Sequence, residues 1–414
     1  MTSRPLRPLA IALLAIPALA SASGFSDVLT EGKPSLDLRY RYEHVHQDNA
    51  LRDAQAHTLR TRLGWRSGEW RGFSGLVEFD TVTRLGGATY HDTRNGRGDY
   101  ATIADPEGGE FNQALLRHDG GYGSVAVGRQ RIVLGNQRFV GGVAWRQNEQ
   151  TYDGVQLQLA PADGLRFTYA FVDRVNTIFG PEDRRTATAA NRSDIDGDSH
   201  LFDLRYEASP ALSLAAYHYR LDLDNAAVSP GAPLGTLSSR TTGARLGGAW
   251  RSLSYAAEYA RQTEGAGNPW TLDSDYRLLE LGYAVRQAKF TAGYEALGGG
   301  TGAGNRAFQT PLATKHAFQG WADVFLTTPA DGVVDRYLGA SAPLAGGTVQ
   351  AWYHDFVPER GGGDYGHELD LSYARAIPGV QGLTGLLKYA RYASDDRTRS
   401  VDTEKFWLQL QYAY

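Results

Sequence analysis

A two-residue alternation of apolar and charged side chains recurs from one end of this chain to the other. In Ser35-Leu-Asp-Leu-Arg-Tyr-Arg-Tyr-Glu43 the even positions are Leu36, Leu38, Tyr40 and Tyr42, and the odd ones are Asp37, Arg39, Arg41 and Glu43. Successive side chains of a strand point to opposite faces, so this pattern puts all the charge on one face. The segment 58–66 repeats it, with Leu59, Thr61, Leu63 and Trp65 on one face and Arg60, Arg62 and Arg66 on the other. The same pattern returns at 165–171, 202–206, 253–259 and 368–373. Helical periodicity of comparable strength is absent, so the chain is read as all-β.

The connections between these strands alternate in length. Short ones, such as 67–72, 160–164 and 208–210, trade places with long polar ones at roughly 86–109, 132–149, 176–198, 223–238 and 298–331. Proline cannot donate to a central ladder. Of the 16 prolines, Pro5, Pro8 and Pro17 lie in the N-terminal segment and Pro34 opens the first strand; the rest fall in the expected connections. Short turns on one side and long loops on the other predict a transmembrane β-barrel, with short periplasmic turns and long extracellular loops. Eighteen strands fit, from 35–45 to 403–414. The strand-like segment Lys315-His-Ala-Phe-Gln-Gly-Trp-Ala-Asp-Val-Phe325 would make nineteen and reverse every later strand. It is therefore expected to be part of a long loop that folds inward or packs on the rim. A single antiparallel 18-stranded barrel is the predicted fold.

A barrel also reconciles the composition. Mean hydropathy is -0.40, too polar for a helical membrane protein but suited to strands with one wet face. Arg4 and Arg7 precede the apolar run 9–16 and an Ala20-Ser21-Ala22 cleavage site, the pattern of a secretory signal peptide. Residues 1–22 are thus expected to be removed, leaving a barrel domain over 23–414 in the outer membrane of a Gram-negative bacterium. Losing two arginines takes the formal charge from -4 to -6. Zero cysteines exclude thiolate catalysis and Cys-ligated metal centres. The acidic balance argues against nucleic acid as a partner. No cofactor is expected.

If the apolar face meets lipid, the other lines a lumen, because a mid-membrane charge facing lipid costs roughly 2–4 kcal/mol. The inner face gathers Arg39, Arg41, Arg60, Arg62, Arg66, Arg205, Arg245 and Lys388. Asp37, Glu43, Glu78, Asp80, Asp203, Glu258, Glu280 and Asp370 are interleaved with them. One reading is that these charges pair across strands and stiffen the wall. The sharper one is that arginines on the first two strands leave positive potential at a constriction, as in anion-selective pores. In Val125-Ala-Val-Gly-Arg-Gln-Arg131 strict alternation sends Arg129 toward lipid, and a bulge at Gly128 is expected to return it to the lumen. Asp194-Ile-Asp-Gly-Asp198 resembles half a calcium loop but lacks its closing glutamate, so it is read as a solvated extracellular loop.

Longer blocks are more specific. Gly128-Arg-Gln-Arg-Ile132, Asn136-Gln-Arg-Phe-Val140 and Trp145-Arg-Gln-Asn-Glu-Gln-Thr-Tyr-Asp153 resemble the alginate-export family of outer-membrane porins. So do Ala307-Phe-Gln-Thr-Pro-Leu-Ala-Thr314, His316-Ala-Phe-Gln-Gly-Trp-Ala-Asp323 and Tyr353-His-Asp-Phe356. The resemblance implies a monomeric 18-stranded barrel with an electropositive constriction passing an anionic polyuronate outward. By position in the motif it adds Arg129 and Arg146 to the lining. An uptake porin for small organic anions is the alternative. A barrel-based hydrolase is a third reading, but His57, His200, His316 and His354 stand in no recognisable nucleophile motif. Expected partners are outer-membrane lipid and lipopolysaccharide, the barrel-assembly machinery, periplasmic export components, and an anionic polysaccharide or small anions.

Overall fold

The computed structural model describes residues 28–181 and 188–414. The expected signal peptide, 1–22, lies outside the described residues. Within them the chain forms β1 (Lys33–Gln47), β2 (Ala54–Arg66), β3 (Phe73–Arg84), β4 (Gly108–Gly120), β5 (Gly123–Gln130) and β6 (Thr151–Ala162). There follow β7 (Leu165–Asn176), β8 (Asp194–Ser209), β9 (Leu212–Leu221), β10 (Ser239–Trp250), β11 (Leu253–Glu264) and β12 (Asp273–Val285). The last six are β13 (Ala288–Gly298), β14 (Gly332–Leu344), β15 (Gly347–Val357), β16 (Gly366–Ala376), β17 (Leu383–Ser394) and β18 (Thr403–Ala413). Each strand pairs antiparallel with its sequence neighbours, and β1 pairs with β18 to close the barrel. Closure leaves no unpaired sheet edge, which a lipid environment requires.

The alternation is realised side chain by side chain. Arg39, Arg41 and Glu43 are buried inside, and so is Arg60, while Leu63, Leu279 and Leu338 stay 56–62% exposed on the outer wall. Those exposed aliphatics mark the band that faces lipid. Turns after even-numbered strands are short, as at 121–122, 251–252 and 345–346, and the long loops all lie at the other end. Most prolines sit in connections; Pro161 and Pro343 fall inside β6 and β14, but within their last two residues. There a missing donor costs one terminal bond. The segment 194–198 belongs to β8 rather than to a loop. Arg174 lies 3.7 Å from Asp194 and 3.0 Å from Asp196. Among the described residues no cluster of metal-ligating side chains is present.

Wall side chains alone cannot fill so wide a barrel. Long loops do it instead. The 131–150 and 299–331 loops enter the lumen and meet there, where Val140 bridges Leu312 and the Gly141 amide donates to the Leu312 carbonyl at 2.9 Å. The Thr314 amide donates to the Gln137 carbonyl at 3.0 Å. Phe308, Leu312 and Phe325 thereby join wall residues Tyr276, Phe356, Tyr392 and Trp407 in one apolar cluster inside the barrel. Segment 315–325 is not a spanning strand: it begins as a single 3-10 turn, Lys315–Ala317, inside the lumen. The wall therefore has eighteen strands, and 315–325 folds inward as expected.

Candidate pore constriction

The inward face of β1 and β2 is an arginine ladder because the two strands are in register there: Arg39 lies opposite Arg60. Like charges facing each other need compensation. Arg60 finds it in Asp37 at 2.6 Å, and Arg62 in Asp80 at 2.6 Å and Glu149 at 2.8 Å. Arg41 reaches Asp105 only at 3.8 Å, donates to the Trp145 carbonyl at 2.6 Å, and stands 4.1 Å over the Trp145 ring. Arg39 donates to the carbonyls of Ala144 at 2.8 Å and Arg146 at 3.3 Å and to the Gln411 side chain at 3.2 Å. Among the described residues no carboxylate lies within ion-pair distance of Arg39. The arginines of β1 and β2 therefore hold the 131–150 loop as well as lining the wall.

That loop brings its own charges. Arg146 contacts Glu43 at 3.0 Å, Asp105 at 3.6 Å and Asp323 at 3.4 Å, tying β1 to two other loops. Arg131 joins Glu149 at 2.7 Å and also pairs with Glu78. Burial opposes ionisation of Glu149, but Arg131 and Arg62 outweigh it and hold the carboxyl below its ordinary range. Arg138 is fully buried and donates to Glu295 at 2.7 Å, Thr310 at 3.2 Å and Gln319 at 3.0 Å. Neither Arg131 nor Arg138 is identified by alternation, since both lie outside strands. Their only sequence signal is their place in the motif blocks.

Across Trp145 lies a second cationic group. The Lys388 ammonium is 3.7 Å from the Trp321 ring and 4.4 Å from Trp145, and donates to His316 Nε2 at 2.7 Å. Cation–π contact of this kind partly replaces water around a buried charge. His316 stacks on Trp145 and its Nδ1 lies 2.7 Å from Asp323. Burial pushes the His316 pKa down to about 3. The ring is thus neutral at pH 7, its Nδ1–H donating to Asp323 while Nε2 accepts from Lys388. Burial would raise the Asp323 carboxyl, but His316, Lys405 and Arg146 hold it well below the usual range. Lys405 is 2.8 Å away. The amides of Trp321 and Ala322 donate to Asp370 and Glu368 at 3.1 and 2.6 Å, fastening the same loop to β16. Beside Lys388 a luminal cavity of about 570 Å³ opens, also lined by Trp145, Trp321, Trp352, Glu280 and Asp335.

The remaining expected lining residues are spread out. Arg205 pairs with Asp203 at 2.7 Å and Arg245 with Glu258 at 2.5 Å, on the wall opposite β1 and β2. Arg66 is exposed at the end of β2. Arg129 requires a correction. No register shift interrupts β4–β5 or β5–β6 at Gly128, so Arg129 stays in phase with outward Val125 and Val127. It lies one residue from the extracellular end of β5 and binds Asp153 at 2.7 Å. A neutralised arginine at the membrane rim escapes the mid-membrane penalty, so no bulge is needed.

Known proteins agree with this architecture. Residues 33–296 match the profile of the family described as Alginate export. The structure is similar to that of Acinetobacter baumannii OccAB4, with a TM-score of 0.71 and 16% identity over 92% of this chain and 98% of that one. It is also similar to Pseudomonas aeruginosa OpdK, solved with vanillate, with a TM-score of 0.70 and 14% identity over 94% and 99% of the two chains. Pseudomonas aeruginosa OccK3 gives 0.68 and 17% over 95% and 98%. No curated protein sequence matches the chain. With the family match over 33–296 on a closed 18-stranded barrel, this chain belongs to the alginate-export family and is an outer-membrane channel for anionic solutes.

Proposed function

We propose that the channel passes small organic anions, recognising one carboxylate at a time through Lys388 beside Trp145, with Arg39 adding positive charge from β1 behind the loop that carries Trp145. The observation that carries this is the cavity beside Lys388. At about 570 Å³ it falls in the range of single-ligand sites, roughly 300–1,000 Å³. Its indole walls suit a ring and its ammonium suits a carboxylate. Vanillate, present with OpdK, is an aromatic carboxylate of that kind. The second reading is outward passage of an alginate-like polyuronate, favoured by the family match over 33–296. A polymer needs a continuous path, so that reading requires the 131–150 and 299–331 loops to part. In either case the chain reaches the outer membrane as a precursor cleaved near Ala22.

Purified protein in planar bilayers distinguishes these. The proposal expects millimolar aromatic or sugar monocarboxylates to interrupt the chloride current transiently, with shorter dwell times in Lys388→Met. Block by polyuronate from one side only, with no response to monocarboxylates, would replace it by the polymer reading.

A further inference from the structure

On the outer wall of β8–β10 the outward residues form rows across the strands. Arg220 of β9 lies opposite His200 of β8 and Arg240 of β10. The next row toward the membrane centre has Phe202, His218 and Thr242 in register. Below it come Leu204, Ala216 and Ala244, then Tyr206, Leu214 and Leu246. Arg220 and Arg240 are exposed, and among the described residues neither has a carboxylate within ion-pair distance. Five other outward arginines on this rim are matched: Arg129 by Asp153, Arg174 by Asp196, Arg261 by Asp273, Arg277 by Asp275 and Arg336 by Asp355. Arg391 of β17 is exposed without an ion pair among the described residues, but it stands singly, in register with Leu369 and Glu404 rather than with a second arginine. Two arginines directly opposite on one face repel each other. Asp222, the next outward residue of the chain beyond Arg220, feels its charge without pairing with it.

The height of this row says what neutralises it. Arg220 stands four residues, about 13 Å along the strand, above Ala216 in the apolar band. That is the boundary where acyl chains give way to headgroups. We propose that Arg220 and Arg240, flanked by His200 and His218, bind the phosphate of an anionic glycolipid of the outer leaflet. Two guanidinium forks converge on one tetrahedral oxyanion, which arginine binds in bidentate fashion. The aliphatic rows below receive the acyl chains of the same molecule. Outer-membrane lipid contact thereby becomes a defined site on one sector of the wall.

Native mass spectrometry of the full-length protein in neutral detergent tests this with bisphosphorylated lipid A as the probe. The wild-type protein should carry a lipid A adduct that falls at least tenfold in Arg220→Gln/Arg240→Gln and is retained in Arg220→Lys. Lipid A stripped of phosphate should bind weakly and equally to both proteins. Heat-modifiable gel mobility checks that the double variant is still a folded barrel. An adduct of equal intensity in the double variant would overturn the proposal. So would displacement of the lipid by millimolar inorganic phosphate, which would make this a site for free anion.

Discussion

Replacing Asp323 with asparagine should release the 299–331 loop from the barrel wall. Asp323 is the one carboxylate shared by Arg146 at 3.4 Å, His316 at 2.7 Å and Lys405 at 2.8 Å. All four side chains are less than a tenth exposed. The amide keeps the shape and removes the charge, leaving Lys405 and Arg146 buried around a neutral group. Removing one partner of a buried pair costs about 3–5 kcal/mol. Arg146 keeps Glu43 and Asp105 as alternatives, so the lower end applies, and most of the loss falls on Lys405. About 3 kcal/mol is roughly a hundredfold in an equilibrium constant. Hydrogen exchange read by mass spectrometry should therefore show the Trp321 and Ala322 amides exchanging about a hundredfold faster. Unchanged protection of these amides would refute the view that Asp323 fastens the loop.

Docking of the same loop should weaken in acid. His316 is held neutral with a pKa of about 3 against an ordinary 6.5, so the undocked loop takes up the proton first. Stability is full above pH 6.5 and declines as pH falls toward 3, by up to about 1.4 kcal/mol per unit. Exchange of peptide 315–325, corrected for intrinsic rates, should rise across that window, and His316→Gln should flatten the trend. Asp323 adds a further loss only below 3.8. Gly320 has φ +77°, and a Cβ there would collide with the Glu368 carboxylate. Gly320→Ala should thus displace the loop from β16 and increase open-channel current noise, whereas alanine at exposed Thr327 of the same loop should not. Arg129→Ala should leave ion selectivity unchanged, since its side chain faces outward; a change in reversal potential would restore it to the lumen.

The strand wall was legible because a lipid-facing side chain and a water-facing one obey opposite solvation rules at every second residue. Leu36 to Tyr42 and Asp37 to Glu43 separate cleanly for that reason. Parity placed 315–325 off the wall, although the segment alone reads as a strand. Where two rules competed, the alternation itself was the better guide. At Arg129 it pointed outward, and the lipid penalty that seemed to forbid this vanishes at the rim beside Asp153. The loops were not legible in the same way. Arg131, Arg138, Asp105 and Glu149 have no phase, and their partners come from distant segments. Asp194 and Asp196 read as loop residues because a charged strand end and a polar loop have the same composition. Pairing inside the lumen is uneven: Arg60 and Arg62 are neutralised, whereas Arg39 and Lys388 have no carboxylate within ion-pair distance among the described residues.

The reversal potential of the unmodified channel in a salt gradient tests that residue of positive charge most directly. At physiological salt, charges more than about 8 Å away are largely screened, so the net acidity of the chain does not set the sign. Under the proposed function Arg39, held by carbonyls alone, and Lys388, ringed by indoles, set it. The permeability ratio is expected to favour chloride over potassium and to fall in Arg39→Ala. A channel that prefers potassium would rule out an anion-selecting lumen.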